Sequence, residues 1–220
     1  MDTIVDLQKI SVFRKTNQVL TDINFSASRG EFVFLTGRVG SGKSSLLKVM
    51  YADEQFEAEK AMVAGFDLKK IKYKQIPFLR RKLGIVFQDY KLLSDRTVHD
   101  NLKFVLEASG ERKKQTIKEK IEQVLDIVGL EGKGKRMPFQ LSGGEQQSVG
   151  IARAIINDPL LILADEPTGN LDARSSENIM EILTKIVANG TPVIMATHDN
   201  NLLKQYPAKI FDVEANQFVA

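Results

Sequence analysis

Nine consecutive residues, Gly37-Arg38-Val39-Gly40-Ser41-Gly42-Lys43-Ser44-Ser45, fit the spacing G-x-x-x-x-G-K-[ST] of a phosphate-binding loop. Glycines let backbone N–H groups close around a phosphate. A helix N-terminus behind them adds unpaired donors and partial positive charge. In such a loop Lys43 reaches the β- and γ-phosphates of a nucleotide and the Ser44 hydroxyl ligates Mg²⁺. The flanks suit that use: an apolar run, Phe32-Val33-Phe34-Leu35, leads in, and helical spacing of Leu46, Leu47 and Met50 leads out. A glycine-rich turn with no ligand is the plain alternative, and the strand–turn–helix context speaks against it.

Three further segments carry groups that could act on a phosphate. The apolar strand Leu160–Ala164 ends in Asp165-Glu166. Carboxylates at the C-terminal end of a buried parallel strand sit where such sheets bind ligands. Asp165 is then a Mg²⁺ ligand and Glu166 the group that polarises the attacking water. Gln88 follows the strand Leu83–Phe87 and can contact both metal and water, although a lone glutamine after a strand is usually surface. His198, after the strand Val193–Ala196, can donate to a γ-phosphate. His99 lies in a helical region and is read as having no catalytic role.

The stretch Leu141-Ser142-Gly143-Gly144-Glu145-Gln146-Gln147 precedes a helix placed at Val149–Ile156. Ser142 and Glu145 have capping-box spacing, so a well-capped helix is one reading. Two glycines inside the box favour another, in which backbone N–H groups approach a phosphate closely.

The elements that must position these groups alternate along the chain. Residues 3–35 read as antiparallel strands with a turn at Ser28-Arg29-Gly30, and Ala61–Gly65 as a strand entering a turn. Residues 67–82 are crowded with Lys and Arg and read as a solvated face, with a partner-binding role as the alternative. From 97 to 130 the spacing is helical, closing at Gly129. The α/β rhythm returns at 159, through a helix at Ile179–Ile186, a strand, a short helix, and a terminal pair around Phe211 and Phe218. The expected fold is α/β, a mostly parallel sheet with an N-terminal antiparallel β-subdomain and an inserted helical subdomain. Boundaries near 90 and 158 divide a core, 1–90 with 158–220, from a helical insert, 91–157.

Composition narrows the class. A chain of 220 residues can bury a substantial core, and its net charge of +3 is too small to argue for nucleic acid. With no cysteine, disulfides and thiolate metal sites are excluded. The first residues lack a signal-peptide pattern, and no apolar run approaches the ~20 residues of a membrane span. Any membrane role is expected to come through a partner.

In this order, Gly37–Ser44, Gln88, Leu141–Gln146, Leu160–Glu166, Asn170-Leu171-Asp172 and His198 resemble the ATP-binding subunits of ABC transporters, over essentially the whole chain. The resemblance implies a P-loop ATP hydrolase using ATP and Mg²⁺. Two nucleotide domains pack head to tail as a homodimer on ATP binding, and no nucleic acid is involved. Ser142, Gly143, Gly144 and Glu145 then complete the partner copy's site in trans. Asp172 communicates across the interface, and Phe13 stacks on the adenine.

Residues Phe78–Asp89 and Leu92–Val98 are similar to the cell-division branch of the family. That implies an integral-membrane permease partner, a peripheral place on the cytoplasmic face of the cell membrane, and an output in peptidoglycan hydrolysis. Glu166–Asp172 is shared with the lipoprotein-release and macrolide-efflux branch, which is the alternative. Departures from the family pattern are Arg38-Val39 for Pro-Ser, Ser45 for Thr, Ser148 for Arg and Gly150 for Ala. Residues 53–61 also lack the usual turn glycine, from which a trimmed β-subdomain is expected.

Overall fold

The computed structural model describes residues 2–14 and 17–219. Two sheets form. The first is antiparallel in the order β2-β1-β4-β5, from β1 (Thr3–Arg14), β2 (Asn17–Ser28), β4 (Lys60–Val63) and β5 (Phe66–Asp67). Its buried residues on β1 do not keep strict alternation: Leu7 is followed by Ile10 and then Val12. The register shifts at that point, and Lys9 adopts φ 51, so a bulge absorbs the extra residue and returns Ile10 to the core. Residues 53–61 manage without a turn glycine through a backbone bridge between Ser11 and Glu57.

The second sheet has six strands in the order β10-β9-β3-β8-β7-β6. These are β3 (Phe32–Thr36), β6 (Leu83–Val86), β7 (Leu161–Asp165), β8 (Val193–Ala196), β9 (Lys209–Asp212) and β10 (Gln217–Val219). All pairings are parallel except that of β10 with β9. The expectation of antiparallel strands throughout residues 3–35 is therefore corrected at β3, which leaves the first sheet for the second. Its run Phe32–Leu35 is apolar without alternation because both faces are covered. Phe32 and Phe34 enter the core with the helices α3 (Val98–Ser109), α4 (Lys114–Ile127), α5 (Gly143–Ile155) and α6 (Ala173–Ala188). Val33 and Leu35 enter a second core with the antiparallel sheet and α1 (Lys43–Met50). One strand thus nails two hydrophobic layers together.

Residues 67–82 are more than a solvated face. They contain a helix, α2 (Ile76–Arg81), anchored by the fully buried Leu79. The helix expected at Val149–Ile156 begins six residues earlier, at Gly143. Ser142 is its N-cap, and the capping box with Glu145 is formed. A last short helix, α7 (Asn200–Gln205), is capped by Asp199.

Candidate active site

Parallel strands β6, β7, β8 and β3 lie side by side, so their C-terminal ends share one edge. From that edge emerge Gln88, Asp165-Glu166, Thr197-His198 and the glycine loop, the convergence expected of an open α/β sheet. The strand ends are tied to one another. The Glu166 N–H donates to the Ala196 carbonyl (3.0 Å) and the Thr197 N–H to the Leu35 carbonyl (3.1 Å).

Within the loop, Gly37, Gly40 and Gly42 have φ of 137°, 86° and 97°, a region that side-chain-bearing residues enter only at a cost. At Gly42 an added Cβ would also run into Leu20 and come within 3.2 Å of Val19. Lys43 is buried, and its ammonium donates to the carbonyls of Gly37 (2.8 Å) and Arg38 (3.0 Å). The loop is thereby curled around the cation. The buried Ser41 hydroxyl has no hydrogen-bond partner, an orphan in the concave part of a loop of this class. Arg38 and Val39 point outward, Val39 with 88% of its surface exposed. Arg38 stands where the family pattern has proline, so it carries an N–H, which donates to the Glu214 carboxylate at 3.3 Å. Ser45 is buried under the loop.

The two expected metal ligands meet. The Ser44 hydroxyl donates to Oδ1 of Asp165 at 2.8 Å. Burial pushes the Asp165 carboxyl above its ordinary value, opposed by the Ser44 hydrogen bond and reinforced by the Glu166 charge. A carboxylate whose charge is disfavoured by burial gains from a nearby cation. A hydroxyl and one carboxylate are hard oxygen donors that fit Mg²⁺, an ion that keeps waters and takes phosphate oxygens besides. Among the described residues there is no cluster of three or more His, Cys, Asp or Glu side chains that could hold an ion unaided.

Glu166 is the strained residue of the site. Its φ of 47° lies in the left-handed region, uncommon for a residue other than glycine, and such outliers cluster where function needs them. Nδ1 of His198 lies 2.8 Å from both Glu166 carboxylate oxygens. An ionised carboxylate only accepts, so Nδ1 carries the proton. Nε2 of a neutral ring is then an acceptor, and donation from it to a phosphate requires the imidazolium. Gln88 lies beside the turn after Glu166. Its side-chain nitrogen is 3.2 Å from where a Cβ on Gly169 would sit, and its carbonyl accepts from the Asn170 amide at 3.3 Å.

The remaining expected residues are held by contacts within this chain. Phe13 stands on β1 with 43% of its surface exposed. The Ser142 side chain accepts from the Glu145 N–H (3.3 Å), and the Glu145 carboxylate accepts from the Ser142 N–H (2.8 Å). Lys133 also pairs with Glu145. That ion pair, followed by the Ser142 N–H, holds the Glu145 carboxyl below its ordinary value. The glycines have an internal reason as well, apart from any approach to a phosphate. A Cβ on Gly143 would lie 2.9 Å from the Tyr90 hydroxyl, and one on Gly144 would lie 2.7 Å from the Ser175 hydroxyl. Asp172 caps α6, accepting from the Ser175 N–H (3.0 Å) and hydroxyl (2.7 Å).

Sequence reasoning missed Tyr90, Ser175 and Glu214. It also missed what Gln147 does: fully buried, it donates to the Phe87 carbonyl at 3.2 Å, one residue before Gln88. Arg153 on the same helix donates to the carbonyls of Tyr90 and Lys91 and lies over the Phe87 ring. Helix α5 thus grips the segment that carries Gln88. On the far side of Phe87 lies a groove of about 980 Å³, lined among others by Ile76, Pro77, Arg80, Val105 and Arg153.

Comparison with known proteins places this geometry. The family model of the ABC transporter matches residues 20–169. The chain is 44% identical over 200 residues to the cell division ATP-binding protein FtsE of Mycobacterium tuberculosis, covering 91% of this chain and 86% of the relative. It is 47% identical over 188 residues to the FtsE of Escherichia coli strain K12, covering 86% and 84%. A solved ATP-binding cassette, a dimer in a post-hydrolysis state bound to ADP and Pi, superimposes with a TM-score of 0.85 at 28% identity, over 98% of this chain and 97% of that one. With the phosphate loop, the Asp165–Glu166 pair and the glycine-bearing helix start arranged on that fold, the chain belongs to the ABC transporter family, as an ATP-hydrolysing subunit.

Proposed function

We propose that the chain is the Mg²⁺-dependent ATPase subunit of an FtsEX-like complex. ATP-driven homodimerisation would transmit force to an FtsX-like integral-membrane permease that regulates peptidoglycan hydrolysis in cell division. The observation that carries the enzymatic part is the meeting of Lys43, Ser44, Asp165, Glu166 and His198 at one sheet edge, with Glu166 fixed against His198 at 2.8 Å. The division assignment draws on similarity to the FtsE proteins.

Phosphoryl transfer needs positioning and charge stabilisation more than covalent chemistry. Lys43 exchanges two loop carbonyls for phosphate oxygens. The amides of Gly40, Ser41, Gly42, Ser44 and Ser45 line the triphosphate, with Gly37, Arg38 and Val39 forming the loop's outer turn and Phe13 stacking on the base. Ser44, Asp165 and Gln88 would hold Mg²⁺, which supplies charge neutralisation at the phosphates. Glu166 accepts a hydrogen bond from the attacking water, and His198 fixes which way that carboxylate points. Ser142, Gly143, Gly144 and Glu145 act on the nucleotide of the second copy, and Asp172 meets its loop.

The core, 1–90 with 158–220, holds the nucleotide, and the insert 91–157 carries the trans-acting helix. The permease docks in the groove beside Phe87, from which movement reaches Gln88 and, through Gln147 and Arg153, helix α5. The complex sits on the cytoplasmic face of the membrane. Replacing Glu166 by Gln keeps the shape and removes the base. The variant is expected to bind MgATP, lose at least about a hundredfold in turnover, and elute as a dimer on gel filtration with MgATP but not without it. A variant that stays monomeric with MgATP bound would sink the trans model.

A further inference from the structure

Between residues 67 and 82 stand seven Lys and Arg against one acid, Asp67. This segment alone carries a net +6, against +3 for the whole chain, so the rest of the protein is slightly acidic. The charge is concentrated in a segment whose aromatic side chains face outward. Tyr73 is 88% exposed, Phe78 is 56% exposed, and Lys72 and Lys74 flank Tyr73 in the sequence. Tyr73 is presented by a tight turn, Tyr73–Gln75, with the Lys72 N–H closed by the Gln75 side chain at 2.9 Å, and Phe78 by the helix α2 that follows. Tyr73 also lines the groove beside Phe87.

The two arginines are already engaged within the chain. Arg80 pairs with Asp53 (2.9 Å) and donates to the carbonyls of Tyr51 and Ala52; Arg81 donates to the Ala108 carbonyl (3.1 Å) and lies over Phe78. Lys72 and Lys74 have no ion pair among the described residues. The planar forks suited to a specific carboxylate partner are therefore occupied. What projects freely is a pair of flexible point charges around an exposed aromatic ring. That combination matches a diffuse negative potential with an apolar layer beneath it.

We propose that residues 69–82 rest directly on an anionic lipid surface, with Lys72 and Lys74 against headgroup phosphates and the rings of Tyr73 and Phe78 at headgroup level. This deepens the proposed function, on which it rests only for the groove facing the membrane. Membrane contact would then belong to this chain itself as well as to its permease.

The purified chain, without permease, is floated with phosphatidylcholine vesicles that either contain or lack about one-third phosphatidylglycerol. Binding to the anionic vesicles alone, weakened by added salt, is expected. The double variant Lys72→Glu, Lys74→Glu should lower partitioning about tenfold or more, while MgATP-dependent dimerisation of the same samples is unchanged. Equal binding to both vesicle types, no binding to either, or full binding by the double variant would overturn the proposal. So would a double variant that keeps its vesicle binding but no longer co-purifies with the permease, because the lysines would then face an acidic protein segment. Failure of the Glu166→Gln variant to dimerise with MgATP would count against the trans model and leave the lipid result standing.

Discussion

Two glycine-bearing helix starts carry this molecule, and they use glycine for different reasons. In the loop before α1 the glycines are there for conformation: Gly37, Gly40 and Gly42 all have positive φ. At the start of α5 neither Gly143 nor Gly144 has a positive φ. There the missing side chains make room for Tyr90 and Ser175. The first start has no side-chain cap, whereas the second has a complete capping box. A helix start left uncapped, beside a lysine held by loop carbonyls, is organised for a ligand. One that is capped and crowded is already a finished piece of structure, and it serves a ligand as a rigid surface.

The contrast can be broken most forcefully at Gly42. Ala there must hold φ near 97° and displace Leu20, so Gly42→Ala should destabilise the protein by about 2–4 kcal/mol and abolish nucleotide binding. A denaturant melt together with a nucleotide titration reads both. A variant that melts normally and binds ATP would mean that conformation is not what the loop needs.

Crowding at the second start is tested by a pair of substitutions. Gly144→Ala is expected to cost about 1–3 kcal/mol through the clash with Ser175. In a Ser175→Gly background, which removes the obstructing hydroxyl and Cβ, most of that cost should vanish, a coupling visible in a double-mutant cycle. Additive losses would return the glycine to a purely ligand-facing role.

The smallest effect concerns the capping box. Because the Lys133 ammonium, and after it the Ser142 N–H, depress the Glu145 pKa, Glu145 stabilises the fold fully above its ordinary value of 4.5. That contribution is lost as pH falls through the lowered value. Lys133→Ala should therefore cost less than about 1 kcal/mol at neutral pH, as partly exposed pairs do. The deficit relative to the unmodified chain should shrink as pH falls below 4.5 in thermal melts. A deficit that does not change with pH would assign Lys133 a packing role instead.

Much of this was legible in the residues, and the limits follow from physics. Strands buried on both faces announced themselves as unbroken apolar runs, and Leu161–Asp165 placed its carboxylates at the right edge without any structure. The destination of β3 was not legible. A run such as Phe32–Leu35 says that both faces are buried, not which strands flank it. The start of α5 was misplaced because glycine lowers helix propensity, while the capping geometry of Ser142 and Glu145 overrides it locally. Site residues at strand ends were found because their chemistry and position coincide. Tyr90, Ser175 and Glu214 were not, because each acts by touching a residue far along the chain. A contact across 176 positions, such as Glu214 with Arg38, leaves no local signature.

That last contact bears on how the molecule is made. The glycine loop is encoded early, but β3, which carries it, is flanked by β8 and β9, and the loop is fastened by Glu214. The turn bearing Glu214 is itself tied to β2, where the Asn24 N–H donates to Asn216 at 3.0 Å. Each of these partners lies far along the chain from the loop, and long-range pairings of this kind form slowly. An emerging chain can therefore display the whole phosphate-binding sequence while lacking the walls that shape it. Competence for nucleotide waits until β8, β9 and Glu214 have been made, so a chain halted before them would be a poor competitor for ATP.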